Sequence, residues 1–190
     1  MKYRWEVINS LIKKFNYKTY LEIGVRFQEN FSRIEIEDKV SVDPMHNPTY
    51  KMTSDEFFKI NKKTFDFIFL DGLHHSDQIE KDIINSLEVL NEGGKILCHD
   101  MNPKTKEGQE REMCKTGGWW GDVWKAWVKL KSKRKDLNMN VINADCGLGL
   151  IEKGEQEIIL FPEELEWSYW KDNSLKYLIS IEEFQKIYLA

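Results

Sequence analysis

The chain reads as an α/β protein with a doubly wound, mostly parallel sheet and helices on both faces. Three observations predict this. Phe65-Asp66-Phe67-Ile68-Phe69-Leu70 is an apolar run of the kind that fills a central parallel strand buried on both sides. It breaks abruptly into Asp71-Gly72-Leu73-His74-His75, placing ionisable groups at a strand's carboxyl end, where open α/β sheets bind ligands. Gly93-Gly94-Lys95-Ile96-Leu97-Cys98-His99-Asp100 repeats the design as a turn, an apolar strand and a His-Asp pair. Neighbouring strands would bring two Asp and up to three His into one crevice.

The other elements follow in order. Trp5, Ile8, Leu11, Ile12 and Phe15 have helical spacing, which predicts an amphipathic helix over 2–15. Thr19 to Gly24 reads as a strand entering a loop, 30–37 as a helix, and Lys39 to Pro44 as a short strand stopped by proline. Ser54 is the expected N-cap of a helix carrying Phe57, Phe58 and Ile60. Ser76 or Asp77 starts a helix with Ile79, Ile83, Ile84, Leu87 and Leu90, ended by Gly93-Gly94. The polar stretch 101–118 predicts a long loop of the lid or binding type. A helix over 123–130 and strands over 139–143 and 148–152 follow. The aromatic, acidic tail from Pro162 predicts short helices packed on the body. Strand–helix alternation at this spacing implies one parallel sheet and one domain over 1–190.

Composition narrows the function classes. The chain has 190 residues, enough for a real core, and is 41% hydrophobic and 32% charged. A net charge of -4 argues against a bulk electrostatic grip on nucleic acid or an anionic membrane. No apolar run approaches the roughly 18 residues of a membrane span, and the first residues lack a signal-peptide pattern. Cys98, Cys114 and Cys146 are widely spaced with no CxxC, which fits buried, reduced thiols, a cytoplasmic setting and no zinc site. The basic run Lys129, Lys131, Lys133, Arg134 and Lys135 lies at a helix end, where cations complement the dipole.

Glu22-Ile23-Gly24-Val25 at the first strand end and Asp43 at the second form a cofactor-binding pattern. Gly24 permits a tight turn and close approach. Asp43, 19 residues on, can accept from both hydroxyls of a ribose. The full GxGxxG is missing, since Gln28 and Asn30 stand where small residues seat a pyrophosphate. A pocket without that cradle favours S-adenosylmethionine over a dinucleotide.

Several motifs together resemble the class I S-adenosylmethionine-dependent methyltransferases, within them the small-molecule and sugar O-methyltransferase-like group. The matching residues are Tyr20-Leu21-Glu22-Ile23-Gly24-Val25 with Asn30-Phe31, Ser41-Val42-Asp43-Pro44 and Thr53 to Phe58. They continue through Asp66 to His75, His99-Asp100-Met101-Asn102-Pro103, Gly121 to Trp127, and Asp145-Cys146-Gly147-Leu148-Gly149. The resemblance covers about 18–154; Gln28 departs from its usual glycine. It implies a Rossmann-like, seven-stranded sheet with a reversed final hairpin. It also implies S-adenosylmethionine held by Glu22, Gly24, Val25, Asn30, Asp43, Pro44, Ser54 and Asp71.

Methyl transfer from a sulfonium is an in-line displacement in which alignment lowers the barrier. A sugar hydroxyl also needs a general base or a metal that lowers its pKa. His74, His99 and Asp100 are the expected catalytic groups, with His74 or His99 as base and Asp100 holding geometry. Asp71, His99 and Asp100 form the alternative cation site, for Mg²⁺ or Mn²⁺; an imidazole among the ligands suits a softer metal than Mg²⁺. On the acceptor side, His75, Trp119, Trp120 and Asp122 are the expected contacts, with indoles packing on sugar C–H faces and Asp122 accepting a hydroxyl. Trp124 and Trp127, three apart on a helix, read as core. Arg111 and Lys115 read as solvated loop charges, which if functional would meet an anionic acceptor. The expected activity is O-methylation of a sugar hydroxyl on a glycan precursor or similar small polar acceptor. A nicotinamide-dependent oxidoreductase and a non-catalytic partner-binding protein are the alternatives. Oligomeric state is left open, the tail being free to cover the core or form an interface.

Overall fold

A computed structural model describes residues 1–113 and 117–190, so the expectations for Cys114 and Lys115 lie outside the described residues. The strands are β1 (Thr19–Ile23), β2 (Asp38–Val42), β3 (Phe65–Leu70), β4 (Leu90–Cys98), β5 (Leu137–Ile142), β6 (Leu148–Lys153) and β7 (Leu178–Ile179). They form a seven-stranded sheet in the order β2-β1-β3-β4-β6-β5-β7. The first four pair in parallel. β6 runs antiparallel to β4 and β5, so the reversed strand sits in the late hairpin. From β1 the chain winds one way to β2 and then back across to β3. The switch point between β1 and β3 is where such sheets open a ligand crevice.

Side chains along the strands alternate between two cores. Leu21, Ile23, Ile68, Leu70, Ile96 and Cys98 face one, with α3 (Ser76–Glu88) and α4 (Val123–Lys133) packed on it. Tyr20, Phe67, Phe69 and Leu97 face the other, covered by α1 (Arg4–Phe15) through Val7, Ile8, Leu11 and Ile12. Trp124 and Trp127 are fully buried on α4, as their spacing predicts.

Four local expectations need correction. No helix forms over 30–37; only a 3-10 turn, Phe31–Arg33, is present. Lys39 Nζ donates to the carbonyls of Phe31 and Ile34, at 2.9 and 3.0 Å, and Asn30 turns inward to donate to Glu22, so these two carbonyls and the Asn30 amide N–H are satisfied without a helix. The N-cap of α2 (Ser54–Ile60) is Thr53, not Ser54; a capping box with Glu56 closes it. α3 ends at Glu88, and Gly93-Gly94 lie inside β4 rather than ending the helix. There the register shifts between Phe65 and Phe67, and Gly94 packs so close that a Cβ would meet the Asp66 carbonyl at 2.8 Å. The tail supplies α5 (Trp167–Asn173) and α6 (Ile181–Phe184), but also β7, which pairs in parallel with β5.

Burial separates sites by cost. Trp127→Ala should lower unfolding free energy by about 3–5 kcal/mol in urea titration. Leu175→Ala, at a side chain 84% exposed, should stay within about 0.5 kcal/mol.

Candidate active site

Register sets the site. Ile23 pairs with Leu70 and Leu70 with Cys98, so β1, β3 and β4 end level. The Asp71 N–H then donates to the Ile23 carbonyl at 2.8 Å, and the His99 N–H to the Leu70 carbonyl at 2.9 Å. Gly24 has φ +82, and a Cβ there would fall 2.0 Å from the Asp71 carbonyl oxygen. Only glycine fits.

The structure brings together Asp71, His74, His99 and Asp100. His99 Nδ1 lies 3.3 Å from Asp71 Oδ1 and 3.2 Å from Asp100 Oδ2. His74 Nε2 is 3.5 Å from Asp71, and its Nδ1 is 3.3 Å from Asp100. Neither Nδ1 has the alignment of a hydrogen bond with any described residue, though both are buried. Burial opposes charge on His99, but the Asp71 and Asp100 carboxylates outweigh it and hold its pKa well above the usual value. The balance raises His74 likewise, through Asp71 and Asp100. Burial also opposes charge on Asp71, yet His99 and His74 keep it far below the ordinary carboxylate range.

Two members of the cluster were not expected from sequence. Arg4, in the first turn of α1, places NH1 3.2 Å from His99 Nε2 and 3.6 Å from Asp145. Asp145 accepts the Arg4 backbone N–H at 2.7 Å and lies 3.4 Å from His99 Nε2. A cation in a helix's first turn opposes the macrodipole, and that was the available signal for Arg4. Asp145 belongs to a recognised motif but carried no role.

The residues expected to hold a cofactor lie on the same rim. Glu22 is buried and accepts from Tyr20 Oη at 2.5 Å and from Asn30 Nδ2 at 2.8 Å. Burial pushes its pKa up to about 7, despite those bonds. Asp43 accepts the N–H groups of Val25, Arg26 and Met45 at 3.1, 3.0 and 2.8 Å, bracing the loop after β1 against the loop after β2, where Pro44 is exposed. Gln28, standing for the usual glycine, adopts φ +61, so the left-handed turn survives. Ser54 Oγ accepts from Gln78, which also bonds the buried Asp82 at 3.0 Å. Asp82 is pushed up to about 6 by burial; an acid on the apolar face of α3, beside Ile79 and Ile83, was its signal.

The expected acceptor contacts divide. Trp119 stacks on the His74 ring, with centroids 4.7 Å apart. Trp120 lies over Gly108 and Gly118, where a Cβ would strike its ring at 2.3 and 2.8 Å, so it packs the loop's own interior. Asp122 is buried and accepts from the Ser76 N–H and Oγ, which commits its carboxylate to the start of α3 rather than to a hydroxyl. His75 is the N-cap residue of α3 and makes no capping bond with its side chain. Arg111 is an exposed loop charge, as expected, and pairs at the surface with Asp77 at 2.7 Å. The described part of 101–118 is irregular loop, as expected, and the loop runs on to Asp122.

Known proteins carry the same architecture. Residues 17–101 match the family model described as a methyltransferase domain. Among solved structures, a Staphylococcus aureus protein described as a caffeoyl-CoA O-methyltransferase aligns at TM-score 0.58 and 19% identity, over 79% of this chain and 82% of its own. The O-methyltransferase TomG of Streptomyces achromogenes, solved with SAM, aligns at 0.56 and 11%, over 79% of each chain. MycE of the mycinamycin pathway, solved with Mg, SAH and mycinamycin VI, aligns at 0.50 and 13%, over 80% of this chain and 49% of its own. At these identities the likeness is one of fold. No curated protein matches the chain.

Glu22 sets a pH test of the buried network. Its folded pKa lies above that of an unfolded glutamate, so the folded state binds the extra proton between about pH 4.5 and 7, and stability contributed by this group falls as pH rises through that window. Glu22→Gln should flatten the decline by an amount on the order of 3 kcal/mol between pH 5 and 8, measured by urea unfolding at each pH.

Proposed function

We propose that the chain is a class I S-adenosylmethionine-dependent methyltransferase that methylates a hydroxyl oxygen of a small polar acceptor, foremost a sugar hydroxyl. The observation that carries this reading is the meeting of Asp71, His74, His99 and Asp100 beside Gly24, at the carboxyl edge of the sheet. Carboxylates and imidazoles in such a cleft suit a hydroxylated acceptor, which needs fixed polar partners and a proton acceptor. One structural neighbour is described as a caffeoyl-CoA O-methyltransferase, TomG as involved in tomaymycin synthesis, and MycE was solved with mycinamycin VI, so hydroxyls of such biosynthetic intermediates are the rival acceptor class.

The cofactor fits the residues present. Gly24 lets the backbone approach a ligand, and Asn30 Oδ1 is buried beside Glu22 without a partner among the described residues. Asp43 retains lone pairs for ribose hydroxyls while ordering the Val25–Arg26 turn. When bound, S-adenosylmethionine supplies an electrophilic methyl on sulfur.

Geometry divides the labour between the histidines. His99 has a side chain 9% exposed and is hemmed in by Arg4 and Asp145 on one edge and Asp71 and Asp100 on the other. It orients the carboxylates. The His74 side chain is 21% exposed and reaches both acids, so it is the better general base. It takes the acceptor's proton as the oxygen attacks, while Asp71 and Asp100 stabilise the resulting imidazolium.

A divalent cation also fits this donor set. Asp71, Asp100 and the unpartnered histidine nitrogens would hold it, and it would lower the acceptor's pKa. Mixed nitrogen and oxygen donors favour Mn²⁺ over Mg²⁺.

Three measurements test the proposal. Asp43→Ala should abolish S-adenosylmethionine binding by calorimetry while circular dichroism stays native; undiminished affinity refutes the pocket. His74→Ala should lower kcat by about 10²–10⁴-fold with cofactor affinity retained. Methyl-transfer screening against nucleotide sugars, oligosaccharides and phenols, in EDTA and with Mn²⁺ or Mg²⁺ restored, identifies the acceptor class. Full activity in chelator removes the cation.

A further inference from the structure

We propose that residues 119–122 form a clamp that fixes the imidazole of His74, with Trp119 as a positioning residue for methyl transfer. The inference rests on the assignment of His74 as base.

Three consecutive contacts converge on 74–76. The Trp119 indole stacks on the His74 ring at 4.7 Å with the planes 17° apart. Its Nε1 donates to the Glu110 carbonyl at 2.9 Å, which fixes the indole from the loop side. Gly121, at φ +67, seats its backbone on His74 itself: a Cβ there would lie 1.9 Å from the His74 carbonyl oxygen and 2.5 Å from its Cβ. Asp122 then accepts the Ser76 N–H at 2.7 Å and its Oγ–H at 3.1 Å. Arg111 adds an ion pair to Asp77. The loop after β4 is thus tied to the residues after β3 at ring, backbone and helix start together.

A ring needs this. The outer torsion of histidine is broad and twofold, so burial alone does not choose how its nitrogens point. The stack holds the plane in which Nε2 faces Asp71 and Nδ1 faces Asp100. A base displaced by about 1 Å loses about 10²-fold in rate. An aromatic face supplies the restraint without adding a hydrogen bond to either nitrogen. The double glycine of Gly117-Gly118 and the third at Gly121 give this short segment the turns it needs to lay Trp119 down.

The test compares Trp119→Leu and Trp119→Phe in the full chain. His74 ring protons are assigned by their loss in His74→Gln, and their upfield ring-current displacement is read by NMR in the ligand-free protein. Trp119→Leu should abolish the displacement and lower kcat about 10–100-fold, with melting temperature and S-adenosylmethionine affinity retained. Trp119→Phe should restore most of both. Unchanged His74 signals or unchanged kcat in Trp119→Leu would overturn the clamp. So would a loss confined to acceptor KM, which would make Trp119 a substrate platform. Wild-type kcat in His74→Gln sinks the base assignment instead, whatever the stack does.

Discussion

The close seating of Gly24 against the Asp71 backbone sets the geometry from which the rest of the site follows. A parallel sheet delivers its carboxyl ends to one rim, but side chains meet only if those ends are level and near. Backbone bonds from Asp71 to Ile23 and from His99 to Leu70 make them level. The missing Cβ at Gly24 makes them near. A side chain there would push the loop after β1 off the loop that carries Asp71 and His74. One residue without a side chain couples the two loops.

The charges gathered at that rim would be untenable alone. Asp71, Asp100 and Asp145 are largely withdrawn from water, and buried carboxylates are costly unless paired. Arg4 and the two imidazoles balance them. The guanidinium can only donate, so its approach to His99 Nε2 favours an unprotonated nitrogen there, whereas Asp145 on the same edge favours a protonated one. His99 is therefore poised between partners of opposite preference. His74, free of Arg4, keeps a simpler choice between two acids, which suits it to exchange a proton with a substrate.

Much of this was legible in the sequence because strand ends are one-dimensional signals. The apolar run over 65–70 and its repeat before His99 fix two neighbouring strands, and parallel pairing then forces Asp71 and His99 together. What lay hidden depended on contacts distant in sequence. Arg4 reads as the start of an amphipathic helix, and nothing in its neighbours says that α1 begins beside His99. Asp145 lies in a hairpin turn whose partner is 141 residues away. Trp119, Trp120 and Asp122 were visible as a motif, but composition cannot distinguish an open indole from one stacked on His74. The helix expected over 30–37 failed for a related reason: Lys39 and Glu22, outside the segment, claim its polar groups.

Backbone strain tells the same story independently. Among the described residues, the non-glycine positions in the left-handed region are Asn16, Arg26, Gln28, His46, Asp100, Asp145 and Cys146. Asn16 ends α1, where that conformation is ordinary. All the others lie on loops at the sheet's carboxyl rim, after β1, β2, β4 and β5. Each costs on the order of 1–3 kcal/mol and persists only where its surroundings over-determine it. Asp43 does so for Arg26 by taking its N–H, and Asn102 and Met101 do so for the 145–147 turn by donating to the carbonyls of Cys146 and Gly147. Side chains kept there at that cost gather polar groups on the rim, and the left-handed turn at Asp145 sets its carboxylate 3.4 Å from His99 Nε2.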